Sequence, residues 1–305
     1  MNDSLPPVIA VRGLSYRFGK QSILNALELD VPQGAFYALL GANGAGKTTL
    51  LQLIAGARPM QQGSACVFGT SVSRLTMGQR QQLTYVAEGQ ELPEWMTLAQ
   101  LEAYCAPLYP AWDRTLAASL RKRFDLDATR RIGAMSRGQR MKVALMCALA
   151  PRPRLIIMDE PFTGMDVVVK DDLVRGLLDA ASLEGATVLL STHDIAEIEP
   201  LADWVGFLEG GRVAVSAPLD ELRARYKRVE LLTSDATPMP ATLPTHWVSA
   251  EHAGLRLSVL MEQTAQAGEL PPQYRNATQI GEREVTLKEL YIALATGNRR
   301  QEATV

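Results

Sequence analysis

Nine consecutive residues, Gly41 to Thr49, have the types and spacing of a phosphate-binding loop. They read GANGAGKTT, in which Gly41, Gly46, Lys47 and Thr48 satisfy the pattern G-x-x-x-x-G-K-[ST]. The glycines allow backbone N–H groups to turn toward a phosphate, the lysine reaches the outer phosphates, and the threonine hydroxyl can bind Mg²⁺. A glycine-rich turn without a ligand is the alternative. We predict a nucleotide site lined by Asn43, Gly44, Ala45, Gly46, Lys47, Thr48 and Thr49.

Two carboxylates follow a second apolar run further along the chain. The run from Leu155 to Met158 reads as a buried strand, and Asp159 and Glu160 come directly after it. A strand that delivers acids at its carboxyl end, in a protein with a phosphate loop, places them where a metal ligand and a base are needed. We predict that Asp159 holds Mg²⁺ through water and that Glu160 polarises the attacking water. Ordinary strand ends also carry acids, so a structural role is the alternative.

A serine and a histidine mark two further positions where an anion could bind. Ser136 is followed three residues later by Gln139 and then by an apolar stretch, which is the pattern of a capping box at a helix start. Helix starts attract anions, although most such caps are structural. His193 follows the apolar strand Thr187 to Leu190 and could touch an outer phosphate, whereas a lone histidine is often structural.

Two aromatic residues near the N-terminus are candidates for contact with a base. Tyr16 and Phe18 are two residues apart, which predicts that they share one face of a strand. A flat ring can stack on adenine without hydrogen bonds, so either residue could do so. Packing in the core is the alternative for both.

The elements that position these residues can be predicted from apolar runs and turn signals. The run Ala35 to Leu40 predicts a strand that leads into the phosphate loop, and a helix from Thr48 to about Ala57 follows the loop. The positive end of that helix would point at the anion. Further strands are predicted at residues 8–14, 26–31, 63–69 and 82–87.

Composition limits the classes of protein that need to be considered. The chain has 305 residues, so we expect a large domain and a smaller one. It is 47% apolar and 21% charged with a net charge of −2, which argues against a dedicated nucleic-acid binder. Its three cysteines lack metal-ligand spacing and fit a reducing cytosol. The sequence has neither a signal peptide pattern nor an apolar run of the roughly 20 residues that cross a bilayer, so we expect a soluble chain.

The sequence changes character after Arg228. A proline-rich span, TPMPATLP, precedes the strand-like segments THWVSA and LRLSVL and the helical segment VTLKELYIALAT. Thr286 and Glu289 have the spacing of another capping box. We expect residues 229–305 to form a small α+β appendage with a structural role.

In this order, the motifs resemble those of the ATP-binding subunits of ABC transporters, most closely the bacterial export-type subunits. The resemblance covers about residues 5 to 228 and rests on the phosphate loop, the Ser136 signature, the acids at 159–160 and the histidine at 193. It implies an α/β P-loop NTPase of the ABC-ATPase fold, with an antiparallel β subdomain and a helical subdomain. Residues 1–228 would form the ATP-binding domain, followed by the appendage at 229–305.

The resemblance also implies roles for individual residues. Phe18 corresponds to the aromatic residue that stacks on adenine, with Tyr16 as the substitute. Asp166 corresponds to a loop that contacts the second protomer, and His193 to a switch histidine. Asp159 and Glu160 correspond to the metal-associated aspartate and the catalytic glutamate. The residues that match the signature, which in this family clamps the γ-phosphate bound by the opposite protomer, are Ser136, Gly138 and Gln139.

The sequence departs from the family pattern at two positions. Arg137 stands where the signature has its second glycine. Glu88 stands where the family has a glutamine that contacts Mg²⁺ or the water, and Gln90 could take that place only if the loop shifts by two residues. Glu88 is thus a candidate metal contact, together with Thr48 and Asp159.

The implied function is ATP hydrolysis, with ATP and Mg²⁺ bound, that powers export through separate integral membrane permease subunits. Hydrolysis would require a head-to-tail homodimer, or a heterodimer with a related ATPase, because each chain carries half of each site. The chain would lie in the cytoplasm against the inner face of the cell membrane and pass motion to the permease through the aromatic segment Trp95 to Trp112. No nucleic-acid partner is expected.

Two other classes of protein share part of the pattern. A soluble ABC ATPase of nucleic-acid or translation processes would usually carry two such domains, a coiled-coil insertion or zinc cysteines, and this sequence has none of these. A P-loop kinase would not need the signature at Ser136, and a passive nucleotide-binding regulator would not need Glu160.

Overall fold

The computed structural model describes residues 6–233, 239, 243–244, 246–263, 270–271 and 274–302. The strands of this part are β1 (Ile9–Phe18), β2 (Gln21–Val31), β3 (Phe36–Leu40), β4 (Gln62–Val67), β5 (Thr70–Ser71), β6 (Leu83–Val86), β7 (Leu155–Asp159), β8 (Thr187–Thr192), β9 (Trp204–Glu209), β10 (Arg212–Pro218), β11 (Tyr226–Leu232), β12 (Trp247–Ala253), β13 (Arg256–Glu262) and β14 (Thr278–Glu284). The helices are α1 (Lys47–Ile54), α2 (Met77–Arg80), α3 (Leu98–Cys105), α4 (Arg114–Arg123), α5 (Arg137–Leu149), α6 (Val167–Glu184), α7 (Ile195–Ile198), α8 (Leu219–Arg225) and α9 (Leu287–Glu302).

A six-stranded sheet forms the centre of the molecule, in the order β10-β9-β3-β8-β7-β6. Its strands are parallel except for the antiparallel pair β9 and β10. Every residue of β3, β7 and β8 is buried, as expected for central strands covered on both faces. Because the strands are parallel, the loops after β3, β7 and β8 emerge at one edge of the sheet.

Each face of this sheet packs against a separate hydrophobic core. Ala38 and Leu40 of β3 contribute to one core, whereas Tyr37 and Leu39 contribute to the other. This alternation follows from the two-residue period of a strand. Residues of α5 and α6 join the first core, and residues of α1 and the N-terminal strands join the second.

A four-stranded antiparallel sheet, in the order β2-β1-β4-β5, covers the second core. The helices α3, α4 and α5 lie on the other side of the molecule, and their first residues are capped by Thr97, Asp113 and Ser136. The predicted fold class, α/β with an antiparallel β subdomain and a helical subdomain, is confirmed.

The C-terminal segment forms an antiparallel sheet in the order β12-β13-β11-β14, and α9 follows it. The predicted capping box at the start of α9 is present, since Glu289 N donates to Thr286 Oγ1 at 3.3 Å and Thr286 N donates to Glu289 Oε2 at 3.1 Å. Leu290 of α9 belongs to the large core of the central sheet. The predicted domain boundary after residue 228 falls inside β11 and stays a prediction. Most of the proline-rich span lies outside the described residues.

Among the helices in the described part of the chain, none has the length and apolar character needed to cross a bilayer.

Candidate active site

The loop between β3 and α1 depends on two glycines that pack against the neighbouring strands. A Cβ atom on Gly41 would lie 2.8 Å from the carbonyl oxygen of Leu208, and one on Gly46 would lie 2.9 Å from Leu24 Cδ2. Gly46 also has a φ of 105°, which favours glycine. Because the N-cap Gly46 carries no side chain, the first N–H groups of α1 remain available to an anion.

Lys47 lies at the centre of the site. Its ammonium donates to the carbonyl oxygen of Gly41 at 2.7 Å and to that of Ala42 at 3.3 Å. It also forms a buried ion pair with Glu160, with 3.1 Å between Nζ and Oε1 and without hydrogen-bond geometry at that oxygen. The loop lysine and the predicted base are therefore adjacent, although more than 100 residues separate them in sequence.

Glu160 is held by contacts to its backbone and its carboxylate. Its N–H donates to the carbonyl oxygen of Ser191 at 3.1 Å, and its φ of 46° lies in the left-handed region. Its Oε2 accepts from Thr163 Oγ1 at 3.2 Å and lies 2.8 Å from His193 Nδ1. These contacts point the carboxylate of Glu160 toward Lys47 and His193, where it can act on a water molecule.

Asp159 meets the chemical requirements of a magnesium ligand. It is buried, its Oδ1 accepts from Ser191 Oγ at 2.6 Å, and its Oδ2 is buried without a hydrogen-bond partner in the described part of the chain. A buried carboxylate oxygen without a partner is costly unless a cation or a donor satisfies it. Mg²⁺ prefers oxygen ligands and commonly takes one or two carboxylates together with phosphate oxygens and water, so Asp159 and the exposed hydroxyl of Thr48 fit this ion.

A cleft of about 550 Å³ opens beside these residues. Most of the predicted site residues line it, and those that do not are Tyr16, Ala45, Asp159 and the signature residues Ser136, Gly138 and Gln139. The lining residues are Phe18, Gln21, Ile23, Asn43, Gly44, Gly46, Lys47, Thr48, Thr49, Glu88, Glu160, Thr163 and His193.

The structure distinguishes between the two aromatic candidates. Phe18 lines the cleft and is 46% exposed, whereas Tyr16 is 6% exposed and its hydroxyl accepts from Arg58. The two rings are in contact, with 5.2 Å between centroids. Because the ring of Tyr16 packs in the core, it is not available to stack on a base, which corrects the prediction that it could replace Phe18.

The signature residues lie at the start of α5. The predicted capping box is present, because Gln139 N donates to Ser136 Oγ at 3.2 Å and Ser136 N donates to Gln139 Oε1 at 3.0 Å. Arg137 extends toward Gly164, where its Nη1 lies 2.9 Å from the position that a Cβ atom would take. The contact of Ser136, Gly138 and Gln139 with a partner's nucleotide stays a prediction.

Glu88, rather than Gln90, lies at the nucleotide cleft. Glu88 is exposed and lines the cleft. The side chain of Gln90 turns back to accept from Ala87 N at 3.1 Å and lines a second cavity of about 230 Å³. The loop therefore does not have the two-residue shift that would bring Gln90 to the cleft.

Sequence reasoning missed two hydroxyl residues at this site. Thr163 contacts the carboxylate of Glu160, and Ser191 contacts both acids. The sequence held a signal for Ser191 alone, since it stands two residues before His193 at the end of an apolar strand.

Comparisons with known proteins identify a family and relatives that this chain resembles. A family model described as ABC transporter matches residues 24–163. The ABC transporter ATP-binding protein YtrB of Bacillus subtilis (strain 168) is 28% identical over 298 residues, which cover 96% of this chain and 100% of YtrB. The Fe(3+) ions import ATP-binding protein FbpC of Streptomyces avermitilis is 31% identical over 232 residues, which cover 72% of this chain and 67% of FbpC.

A solved structure has a similar fold. It is the dimeric structure of a post-hydrolysis state of the ATP-binding cassette MJ0796 bound to ADP and Pi, with a TM-score of 0.62 and 22% identity. The match covers 69% of this chain and 98% of that chain, so nearly all of the MJ0796 fold has a counterpart here.

Proposed function

Because this chain belongs to the ATP-binding proteins of ABC transporters, which are ATPases, we propose that it hydrolyses ATP at the cleft beside Lys47 and thereby powers export through separate membrane-spanning subunits. The observation that carries the proposal is the convergence of Lys47, Glu160 and His193 on one cleft next to the phosphate loop. Lys47 is the first residue of α1, which follows β3 and the phosphate loop, whereas Glu160 and His193 directly follow β7 and β8.

The chemistry expected of these residues is mostly electrostatic and positional. The ammonium of Lys47 and the N–H groups at the start of α1 attract the phosphate charge, and the carboxylate of Glu160 orients the attacking water. His193, 2.8 Å from Oε2, holds that carboxylate in place. Thr48 and Asp159 would hold Mg²⁺, which neutralises phosphate charge when it is bound.

A second copy, or a related ATPase, would complete the site. Ser136 and Gly138 do not line the cleft of their own chain, so any contact of theirs with the γ-phosphate must be made across an interface. The dimeric structure of the cassette MJ0796 supports such an assembly. We propose a head-to-tail dimer in which each nucleotide lies between the loop of one chain and α5 of the other.

The variant Glu160→Gln tests the hydrolytic role of this carboxylate. The amide keeps the size of the side chain but lacks its charge, so it cannot polarise water. We expect turnover to fall by about 100-fold or more, since general base catalysis contributes about 10² to 10⁴ in rate. ATP-dependent dimerisation, measured by light scattering, should persist or increase.

The variant Glu282→Gln is the matched control, because it changes an exposed glutamate of β14 outside the cleft. Its turnover should stay within about twofold of the parent, as for most surface substitutions. Hydrolysis by Glu160→Gln at the parent rate would show that Glu160 is not the base.

The direction of transport rests on the segment from Leu108 to Asp113, which resembles that of export-type subunits. Import is the second candidate, because FbpC is named as an import protein.

We propose that the chain works on the cytoplasmic face of the cell membrane, bound to integral permease subunits. Co-purification from solubilised membranes should recover a multispanning protein, and the sign of ATP-dependent flux in vesicles that contain both proteins decides between export and import. Recovery of only soluble partners would favour the alternative of a soluble ABC ATPase.

A further inference from the structure

Ser191 joins the two acids of the site, although it does not line the cleft. It is the residue of β8 that pairs with Asp159 of β7, and it is fully buried, with 0% exposure. Its hydroxyl donates to Asp159 Oδ1 at 2.6 Å and accepts from Glu160 N at 3.2 Å. Its single O–H group therefore donates to Asp159, and one of its oxygen lone pairs accepts from the backbone of Glu160.

The contact with Asp159 determines which carboxylate oxygen is free. Oδ1 is occupied by the hydroxyl, whereas Oδ2 is buried without a partner among the residues that the structure describes. Removal of the hydroxyl would leave both oxygens without a fixed donor and allow the carboxylate to rotate about χ2. A metal bound through Asp159 would then lose a pre-oriented ligand.

The contact with Glu160 supports an unusual backbone conformation. Glu160 has a φ of 46°, and a residue with a side chain adopts this region only where its surroundings hold it. Its N–H lies between two acceptors of the same residue, the carbonyl oxygen and the hydroxyl of Ser191.

We propose that Ser191 is a positioning residue that fixes the orientation of Asp159 toward Mg²⁺ and the backbone of Glu160 toward the cleft. The inference rests on the proposed function, because it assumes that Asp159 binds the metal of a magnesium nucleotide. Ser191 would thus act on the site through the two acids, since it does not line the cleft itself.

The test compares nucleotide binding with and without the metal. The dissociation constant of a fluorescent ATP analogue is titrated in excess Mg²⁺ and in EDTA for the parent and for Ser191→Ala. We expect Ser191→Ala to weaken binding in Mg²⁺ by about tenfold, as is typical when a residue that orients a metal ligand is removed. Binding in EDTA should change by less than about twofold, since Lys47 and the loop are untouched. Ser191→Thr keeps the hydroxyl and should restore most of the magnesium effect.

The control variant is Thr187→Val, which removes another buried hydroxyl of β8, at the opposite end of the strand, where it accepts from Gly34 N. It should lower the thermal midpoint of unfolding. The dissociation constant in EDTA divided by that in Mg²⁺ should stay at the value of the parent. Should Ser191→Ala fail to fold, Ser191→Cys replaces the hydroxyl by a weak donor of similar shape. It should also reduce the dissociation constant in EDTA divided by that in Mg²⁺.

The outcomes separate the inference from the function on which it rests. If a folded variant without the hydroxyl keeps the parent ratio, or if Thr187→Val reduces it equally, Ser191 is not a positioning residue. If the parent itself binds the analogue equally in Mg²⁺ and in EDTA, the magnesium nucleotide site is wrong, and the inference is overturned with it.

Discussion

Glu160 combines strong side-chain contacts with a backbone conformation that costs free energy. A non-glycine residue in the left-handed region costs on the order of 1–3 kcal/mol, and the surrounding structure must offset this cost. The two acceptors of Ser191 and the ion pair with Lys47 supply compensating interactions. Five non-glycine residues in the described part of the chain have a φ in the left-handed region, and Glu160 is the one among them that lines the nucleotide cleft.

The negative charge of Glu88 at the cleft leads to a prediction about nucleotide affinity. Glu88→Gln removes a carboxylate that repels the phosphates of a free nucleotide, so ATP should bind about two to five times more tightly in EDTA. Titration at two ionic strengths checks the cause, because the effect of an exposed charge is screened by salt.

The exposed residue Glu91 lies in the same loop but does not line the cleft, so Glu91→Gln is the control and should leave the affinity within about twofold. A gain in affinity for Glu88→Gln that is independent of salt would contradict the electrostatic explanation.

Among individual residues, the sequence predicted best those whose type and spacing are set by chemistry. Lys47, Asp159, Glu160 and His193 are close together as expected. The sequence left core packing open for both Tyr16 and Phe18 and could not tell which of them is buried, because irregular pairing within β1 places the two aromatics in different surroundings. Thr163 was missed because its contact with Glu160 depends on the turn after β7, whose geometry the sequence pattern does not specify.

Among the elements, the C-terminal helix α9 is connected to the segment that follows His193. Leu287 N at the start of α9 donates to Glu199 Oε1 at 3.1 Å, and Glu199 follows α7 directly. Phe207 of β9 and Tyr291 of α9 pack edge to face, with 5.4 Å between ring centroids. Helix α9 is therefore packed against the core of the central sheet.

Apolar runs predicted β3, β7 and β8 well, because central strands buried on both faces read as continuous apolar segments. The same reasoning did not predict β14, in which six of the seven residues are exposed and no apolar period is visible. The strand predicted from apolar residues at 8–14 ends before Phe18, where β1 ends, because register shifts interrupt the alternation of buried residues.

The attachment of α9 leads to a prediction about acid stability. Two hydrogen bonds from Arg283, at 2.6 and 3.0 Å, are the largest cause that holds the pKa of Glu289 at about 2, below the usual 4.5. Thr286 and Arg228 act in the same direction, and burial opposes them. Since the folded pKa is lowered, this stabilisation is fully present above pH 4.5 and is lost as the pH falls toward about 2.

Glu289→Gln keeps the capping box but removes the charge. We expect its thermal midpoint to be about 1–2 °C below that of the parent at neutral pH, because a partly exposed ion pair contributes little. The difference should shrink between pH 4.5 and pH 2. Calorimetry at several pH values checks this, with Glu284→Gln on β14 as the control; a difference that grows on acidification would contradict the assigned role.

At the scale of the whole molecule, two exposed surfaces in the described part of the chain bear on the proposed function. One is the edge of the central sheet that carries the nucleotide cleft. The other is an apolar surface around α3, which we define by the exposed side chains of Trp95, Tyr104 and Leu108. Large exposed apolar groups close together in the chain are typical of sites of protein contact.

The apolar surface around α3 leads to a prediction about binding to the membrane subunits. Trp95 is 70% exposed, and a tryptophan at the centre of an interface often contributes 2 kcal/mol or more, or about 30-fold in affinity. We therefore expect Trp95→Ala to weaken binding to the co-purified membrane subunits in nanodiscs by about tenfold or more. ATP affinity should be unchanged, because Trp95 does not line the nucleotide cleft.

Ile280→Ala, at an exposed apolar residue of the C-terminal sheet, is the control and should bind to the membrane subunits as the parent does. Equal binding by Trp95→Ala and the parent would place the contact elsewhere on the molecule, whereas a parallel loss of ATP affinity would indicate a change in folding rather than a lost contact.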